Sequence, residues 1–223
     1  MQEGNMEIKW YGHASFLITT GKGIKIITDP YEPGAFGGAI AYGPIPDEAD
    51  IVTISHDHAD HNYVEGLPGK PIVIKGAGRH EAKGIVVEGV STYHDDSQGA
   101  ERGDNTIFTV VADDIRVCHL GDLGHVLSDK EVQEIGLIDC LLIPVGGFFT
   151  IGPKEATTVA DQLHPKLIIP MHVKTEKCTL PIESFDQFLQ GKKGVQRLER
   201  STFSFTREEL EAGLGIVVLQ PAL

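Results

Sequence analysis

A run of seven residues, Ser55-His56-Asp57-His58-Ala59-Asp60-His61, concentrates side chains that bind metal ions. It follows the short apolar stretch Ile51–Ile54, which is typical of a buried strand. His56 and His58 are two positions apart, so an extended backbone directs both imidazoles to the same side, as two ligands of one ion require. The start of the run therefore predicts a metal site at the end of a strand.

Asp60 and His61 follow directly after this first pair. If the backbone turns into a helix over 59–65, both side chains reach a position beside the first ion, where a second ion could lie roughly 3.5 to 4 Å away. Four ligand-type residues in six positions add little to packing, and without a cation they would repel or strain one another. One short segment is therefore predicted to serve two ions.

The remaining ligands must come from distant parts of the chain, because a catalytic metal site uses several side chains per ion and keeps a position for water. His94, Asp122 and His172 each come directly or almost directly after an apolar, strand-like run. Their repeated placement at strand ends suits a site gathered along one edge of a sheet, and Asp122 could use both oxygens to bridge the two ions.

Several other polar residues have roles that the sequence leaves open. His13 and His119 could contact a substrate, or each could only hold a backbone carbonyl. Ligand imidazoles need hydrogen-bond acceptors that fix their tautomer, and the aspartates that could act so, or equally lie exposed in loops, are Asp57, Asp95 and Asp96. Three further histidines are interpreted as ordinary loop residues: His80, His125 and His164.

The order of predicted strands and helices that position these residues indicates a single α/β layered domain over residues 1–223. The start is antiparallel, with a glycine turn at 21–23, and strands alternate with helices later. The predicted strands are 7–11, 14–20, 24–28, 51–54, 72–75, 85–93, 106–111, 115–120, 140–145, 167–171 and 215–219. The predicted helices are 129–135, 153–163 and 181–189. The Gly- and Pro-rich stretch 33–46 is a predicted surface loop that could lie over the site.

The amino-acid composition favours a protein with its own core and disfavours membrane-spanning and nucleic-acid-binding classes. The chain has 223 residues with 41% hydrophobic content, which is enough for a core of its own. No apolar run approaches the roughly 20 residues that cross a bilayer, and the first residues lack the pattern of a signal peptide, so a soluble cytoplasmic protein is expected. A net charge of -13 disfavours extended nucleic acid. Two divalent ions against two aspartates would still leave the site positive enough to attract a small anion.

The sequence resembles the metallo-β-lactamase superfamily, within the small branch that includes ascorbate-6-phosphate-lactonase-like proteins and metal-dependent hydrolases. The histidine-aspartate run carries the resemblance to the superfamily. The motifs that point to the branch are Tyr11-Gly12-His13-Ala14-Ser15, Thr28-Asp29-Pro30, His119-Leu120-Gly121-Asp122 and Pro170-Met171-His172. The resemblance spans nearly the whole chain and implies an αββα sandwich.

The resemblance also implies a ligand set with three residues for each ion and one bridging carboxylate. These are His56, His58 and His94 for one ion, Asp60, His61 and His172 for the other, and Asp122 as the bridge. It implies a metal-activated water as the nucleophile, with Asp60 orienting it or accepting its proton. Zinc and manganese are the expected ions, and nickel and iron are alternatives.

The leading hypothesis is hydrolysis of a small anionic ester, lactone or phosphodiester. The alternatives are a phosphodiesterase or nuclease acting on short nucleic acids, and a non-catalytic metal-bound sensing or binding module. Better-known relatives fit less well: flavodiiron proteins carry Glu at the place of His58, and the commonest zinc β-lactamases carry Cys at that of Asp122. Glyoxalase II adds a helical domain, and tRNA-processing relatives add a basic arm. A small-molecule substrate remains.

Overall fold

Two β-sheets contain the fourteen strands of the computed structural model, which describes residues 4–223. The strands of the first sheet are β1 (Asn5–Gly12), β2 (Ser15–Thr19), β3 (Lys25–Thr28), β4 (Ile51–Ile54), β5 (Ile72–Lys75) and β13 (Thr202–Thr206). The strands of the second sheet are β6 (Gly78–Ala82), β7 (Ile85–Tyr93), β8 (Asp104–Ala112), β9 (Ile115–His119), β10 (Cys140–Pro144), β11 (Leu167–Met171), β12 (Val195–Arg197) and β14 (Gly215–Val218). Their orders are β13-β1-β2-β3-β4-β5 and β12-β14-β11-β10-β9-β8-β7-β6.

Short helices lie between the later strands. They are α1 (Ala35–Gly38), α2 (Asp129–Ile135), α3 (Pro153–Leu163), α4 (Phe185–Leu189) and α5 (Arg207–Ala212), with a 3₁₀ turn at Val64–Gly66. The apolar stripe of α3 is buried, and α3 packs against β10 and α4. Among residues 4–223, no helix is long and apolar enough to span a bilayer.

Alternating side chains of the first sheet divide the interior into two hydrophobic layers. Trp10 and Phe16 face the second sheet and join the main core, whereas their neighbours Tyr11 and Leu17 point to the opposite face. The period of two along an extended strand produces this division. Four residues of the 33–46 stretch, Ala35, Ile40, Tyr42 and Ile45, pack on the outer face. Half of the stretch is exposed, so it lies at the surface as predicted.

Strand direction explains why one end of the molecule collects the polar residues. In the second sheet β7, β9 and β11 run the same way, and in the first sheet β1, β3 and β4 do so. The carboxyl ends of strands that run the same way lie at the same edge of their sheet. The loops that follow these six strands therefore meet where the two edges face each other.

Most strands and helices agree with the sequence prediction to within one or two residues. The helix predicted over 59–65 is wrong: the amides of His61 and Asn62 bond to the His58 carbonyl, and a 3₁₀ turn follows. The helix predicted over 181–189 is shorter and begins at Phe185. Five elements were not predicted, all of them short or rich in polar residues: α1, β6, β12, β13 and α5.

Candidate active site

Two groups of ligand-type side chains lie at the shared edge of the sheets. Within each group, the candidate ligand atoms are all within 4.8 Å of one another. The first group is His56, His58 and His94, and the second group is His13, Asp60, His61 and His172. Except for His58, which is partly exposed, these side chains are buried.

The carboxylate of Asp122 lies between the two groups. Its Oδ2 is 3.2 Å from Nε2 of both His61 and His94. The same oxygen is 3.4 Å from Nε2 of His172 and 3.9 Å from Nε2 of His56. One oxygen atom is thus close to two imidazoles of each group. All seven residues predicted as ligands from the sequence are brought together.

Hydrogen bonds between the loops hold the two sheet edges together around this cluster. The His172 amide donates to the His13 carbonyl, and the Thr106 amide donates to the Ser55 carbonyl. The side chain of Asn105 accepts from the Asp122 amide and donates to the Leu120 carbonyl, so it positions the loop that carries Asp122. The geometry of the cluster therefore depends on contacts between sheets as well as on each strand end.

Three buried residues of the site have a left-handed backbone. The φ angles are 51° for His13, 39° for Asp29 and 52° for His172. Residues other than glycine seldom adopt this region, and such strain is concentrated at functional sites. Each of these residues lies just beyond a strand end, so the unusual backbone redirects the chain at the point where its side chain enters the cluster.

Asp29 orients two of the histidines. Its Oδ2 is 2.9 Å from Nδ1 of His61 and also accepts a hydrogen bond from the hydroxyl of Ser55. The Ser55 oxygen is in turn 2.8 Å from Nδ1 of His56. Because the carboxylate accepts, it favours a proton on Nδ1 of both imidazoles. When the imidazoles are neutral, the lone pair of each Nε2 is available to bind an ion.

The donor set fits divalent cations. Buried polar atoms without a hydrogen-bond partner are rare in folded proteins, yet the described residues include a concentration of them here. They are Nδ1 of His13, Nε2 of His56, Oδ1 of Asp60, Nε2 of His61, Nδ1 of His94, Oδ1 of Asp122 and Nδ1 of His172. Imidazole nitrogens and carboxylate oxygens are ordinary ligands of zinc and manganese. The unpartnered nitrogens and oxygens of this cluster therefore fit a metal site.

The pKa values of the buried groups show that negative charge accumulates in this cluster. Burial would raise the pKa of Asp122, but the nearby His172 and His61 imidazoles hold it well below its usual value. Burial would lower the pKa of His61, but Asp122 and Asp60 raise it well above its usual value. These carboxylates thus stay ionised and require positive charge beside them.

Two other imidazoles are held neutral, which is the form that binds metal. Burial, together with the nearby His172, lowers the pKa of His13 to about 4. Burial, together with the nearby His61, lowers the pKa of His56 to about 3. The cluster therefore presents lone pairs rather than charged imidazolium groups at these positions.

The structure decides most of the roles that the sequence left open. The side chain of His13 belongs to the second group, with Nε2 2.9 Å from Oδ2 of Asp60. His119 has the backbone role, since its Nε2 is 2.8 Å from the carbonyl oxygen of Ala14. Asp57 pairs with Lys75, and Asp95 accepts from backbone amides of its own loop, so neither bonds to a ligand imidazole.

The acceptor role belongs instead to Asp29, which the sequence analysis noted only within a motif. The signal that could have identified it is its place directly after strand β3, the same placement that identified His94, Asp122 and His172.

Two glycines lie directly behind ligand loops. A Cβ at Gly124 would overlap the backbone of His94 and the Asp95 amide, and one at Gly146 would overlap the carbonyl oxygen of His172. Close approach of two backbones is a common reason for glycine. The backbones of Gly124 and Gly146 therefore pack directly against the loops that carry His94 and His172, and a larger residue at either position would displace those loops.

An open cavity of about 460 Å³ leads to the cluster. The metal-ligand candidates in its lining are His58, Asp60, His94, Asp122 and His172. The apolar lining residues are Phe36, Phe149 and Leu180, and two oppositely charged side chains, Glu101 and Arg102, complete the wall. Phe36 lies in the 33–46 stretch and Arg102 in the loop after β7, so both loops border the site. A small molecule of ordinary size fits this volume.

Comparison with known proteins agrees with this geometry. The family described as "Beta-lactamase superfamily domain" matches residues 7–172. A UPF0173 metal-dependent hydrolase of Thermococcus onnurineus is 32% identical over 196 residues, which cover 76% of this chain and 85% of that protein.

Solved structures share the fold. A protein of Thermotoga maritima, assigned as a Zn-dependent hydrolase of the metallo-β-lactamase superfamily, is 38% identical with a TM-score of 0.78, covering 96% of this chain and 98% of that one. The metallo hydrolase Igni18 of Ignicoccus hospitalis is 18% identical with a TM-score of 0.63, covering 97% and 95%, which is a likeness of fold alone.

Replacing Asp29 by Asn should weaken metal binding by about 10- to 100-fold, because the amide NH2 group cannot accept a hydrogen bond. The Asn side chain therefore cannot keep all three bonds that the carboxylate accepts from His61, the Ser55 hydroxyl and the Ser55 amide. Competition with a chromophoric chelator measures the affinity. Asp57→Asn is the matched control, since Asp57 is exposed and bonds only to Lys75 and Asn62. Equal affinities for the two variants would contradict the orienting role of Asp29.

Replacing Gly124 by Ala should lower both metal content and stability, the latter by about 1–3 kcal/mol, because the new methyl group must displace the backbone of His94. Elemental analysis and denaturant unfolding measure the two effects. Gly43→Ala is the control, since a Cβ there meets only Leu223 at 3.9 Å. The same response from both variants would show that Gly124 has no special role.

Proposed function

This chain belongs to the β-lactamase superfamily, as a metal-dependent hydrolase, and from that premise we propose that it binds two divalent ions and hydrolyses a small anionic ester, lactone or phosphodiester. The number of ions, the roles of individual residues and the class of substrate are each supported by a separate feature of the site.

The observation that carries the two-ion proposal is the position of Asp122. One of its oxygens lies within 3.9 Å of Nε2 of four histidines, two from each ligand group. A carboxylate shared in this way suits a bridge between two ions. We assign His56, His58 and His94 to the first ion and Asp60, His61 and His172 to the second, with His13 beside the latter.

When bound, divalent ions supply Lewis acidity and lower the pKa of a water molecule towards neutrality. The chain's own residues then orient the reacting groups. Oδ2 of Asp60 is held by His13, while its Oδ1 has no partner among the described residues. We assign to this free oxygen the orientation of the attacking water, or the acceptance of its proton.

Zinc is the first candidate for the ion. The ligand set consists of imidazoles and carboxylates without cysteine, and the similar protein of Thermotoga maritima is assigned as Zn-dependent. Manganese is the second candidate, because the same ligand types accept it. Structural zinc sites are closed by four tight ligands, which are commonly cysteines. Neither ligand group contains a cysteine, and this favours a catalytic site over a purely structural one.

The charge of the site supports an anionic substrate. Four positive charges from two ions, against Asp60 and Asp122, leave a formal charge of about two. The buried carboxylate of Asp29 reduces this to about one, so the site remains positive although the chain carries -13 overall. The cavity of about 460 Å³ is of a size for a small molecule.

Replacing His58 by Ala and Asp122 by Ala together should abolish turnover, because one ion loses a ligand and both lose the shared carboxylate. A screen of lactones, phosphodiesters and thioesters with Zn-, Mn- and Ni-loaded wild-type protein identifies the substrate on which to measure this. The double variant should also bind fewer than the two ions per chain expected for wild type, by elemental analysis.

His80→Ala is the control for this experiment, because His80 bonds to the Gly76 carbonyl and belongs to neither ligand group. It should retain wild-type turnover and metal content. Wild-type turnover in the double variant would overturn the proposed active site, and a single ion per chain in the active wild-type protein would overturn the two-ion proposal.

A further inference from the structure

The loop between β7 and β8 places a basic side chain on the wall of the metal cavity. Arg102 lines the same cavity as His58, His94 and Asp122. Apart from the histidines of the cluster, it is the one basic residue among the lining side chains of the described chain. A cationic group at this place is available to anything that enters.

Structural ion pairs do not account for Arg102. Within residues 4–223, its guanidinium makes no hydrogen bond, and the only carboxylate near it is that of its neighbour Glu101, at 3.6 Å. Four other arginines each donate to a carboxylate at 3.2 Å or less: Arg79, Arg116, Arg197 and Arg207. A guanidinium offers five donors in a planar fork that matches a carboxylate or phosphate. The donors of Arg102 are unused.

The backbone beneath Arg102 is fixed. The Asp95 carboxylate accepts from four amides of the loop, those of Ser97, Gly99, Glu101 and Arg102, at 2.7 to 3.0 Å. This network holds the loop independently of the Arg102 side chain. The guanidinium is therefore presented from a preorganised base, which reduces the entropy lost when it binds an anion.

Another part of the cavity lining is apolar, and its backbone is strained at Phe36. Phe36 lines the cavity with its side chain 56% exposed and a left-handed φ of 54°. Phe149 also lines it and packs edge-to-face on Phe148, which is 66% exposed with a φ of 62°. Exposed aromatic rings on a left-handed backbone do not stabilise a folded chain. They suit a surface that is covered by a ligand.

We propose that the substrate is an amphiphilic anion: it carries a carboxylate or phosphate separate from the bond that is cleaved, which Arg102 binds, and an apolar body that lies on Phe36, Phe149 and Leu180. This inference rests on the proposed hydrolytic function and specifies its substrate. Arg102 acts in binding, and Glu101 opposes it by its charge.

A pair of esters that differ in one group tests the anion site. The 4-nitrophenyl monoester of suberic acid carries a free carboxylate at the far end of an eight-carbon chain, whereas 4-nitrophenyl octanoate ends in a methyl group. For the metal-loaded full chain, Arg102→Gln should raise KM for the suberate ester about 10-fold with little change in kcat, as expected for loss of a charge-assisted hydrogen bond. KM for the octanoate should not change.

Three further variants sharpen the result. Glu101→Gln should lower KM for the suberate ester, because it removes the competing charge, so the two neighbouring substitutions have opposite effects. Arg102→Lys should restore part of the loss. Arg79→Gln is the control, since Arg79 pairs with Glu88 on β6 and β7 outside the cavity, and it should change neither KM.

A binding measurement separates this inference from the proposed function. By calorimetry, suberate should bind the metal-loaded protein about 10-fold more weakly in Arg102→Gln than in wild type, and octanoate should not distinguish them. Weakened binding of suberate without hydrolysis of either ester would support the anion site and count against hydrolysis of esters. Hydrolysis of both esters with no effect of Arg102→Gln on KM or on suberate binding would overturn the anion site and leave the hydrolytic function standing.

Discussion

The burial of three carboxylates within one cluster of imidazoles is the constraint on which the rest of the structure depends. Asp29, Asp60 and Asp122 are each at most 5% exposed, and histidines hold the pKa of each carboxyl below its usual value. Burying charge without full compensation costs several kcal/mol per ion, as an approximate figure. Bound divalent cations would offset that cost by pairing with the carboxylates and with the unpartnered lone pairs. Metal binding and stability of this edge of the fold are consequently coupled.

Such a cluster can be assembled only if several independent contacts hold the backbone around it. The left-handed conformations of His13, Asp29 and His172 cost energy, and hydrogen bonds hold them. The His172 amide donates to the His13 carbonyl between the sheets, and the Asp29 amide donates to the Thr53 carbonyl within the first sheet. Gly124 and Gly146 contribute by letting neighbouring backbones approach more closely than a Cβ permits. The precision of the site thus comes from two sheets packed on a common core, with irregular chain confined to the edge where the ligands lie.

The distant metal ligands could be predicted because each lies directly or almost directly after a strand. The same placement applies to Asp29, which was not predicted as a site residue. His94, Asp122 and His172 were found because each follows an apolar run. Asp29 follows β3 in the same way, but its position alone does not distinguish an aspartate that orients histidines from one that binds an ion. The turn after His58 could not be predicted from periodicity, since hydrogen bonds to one carbonyl decide it. β6 and β12 lack a clear apolar alternation, and pairing with neighbours forms them. β13 alternates over only five residues, with Phe203 and Phe205 as its apolar positions, and its pairing with β1 forms it.

The overall charge of -13 and the positive site do not conflict, because they act over different distances. At physiological ionic strength, fields are screened within about 8 Å. An extended polyanion would reach beyond that distance and meet the acidic surface, whereas a small anion inside the cavity would interact mainly with Arg102, Glu101 and the proposed ions. The composition therefore disfavours long nucleic acid without disfavouring small anions. In our proposal, selection among small anions depends on Phe36, Arg102 and Phe149, which come from segments outside the strand-end pattern that locates the predicted metal ligands.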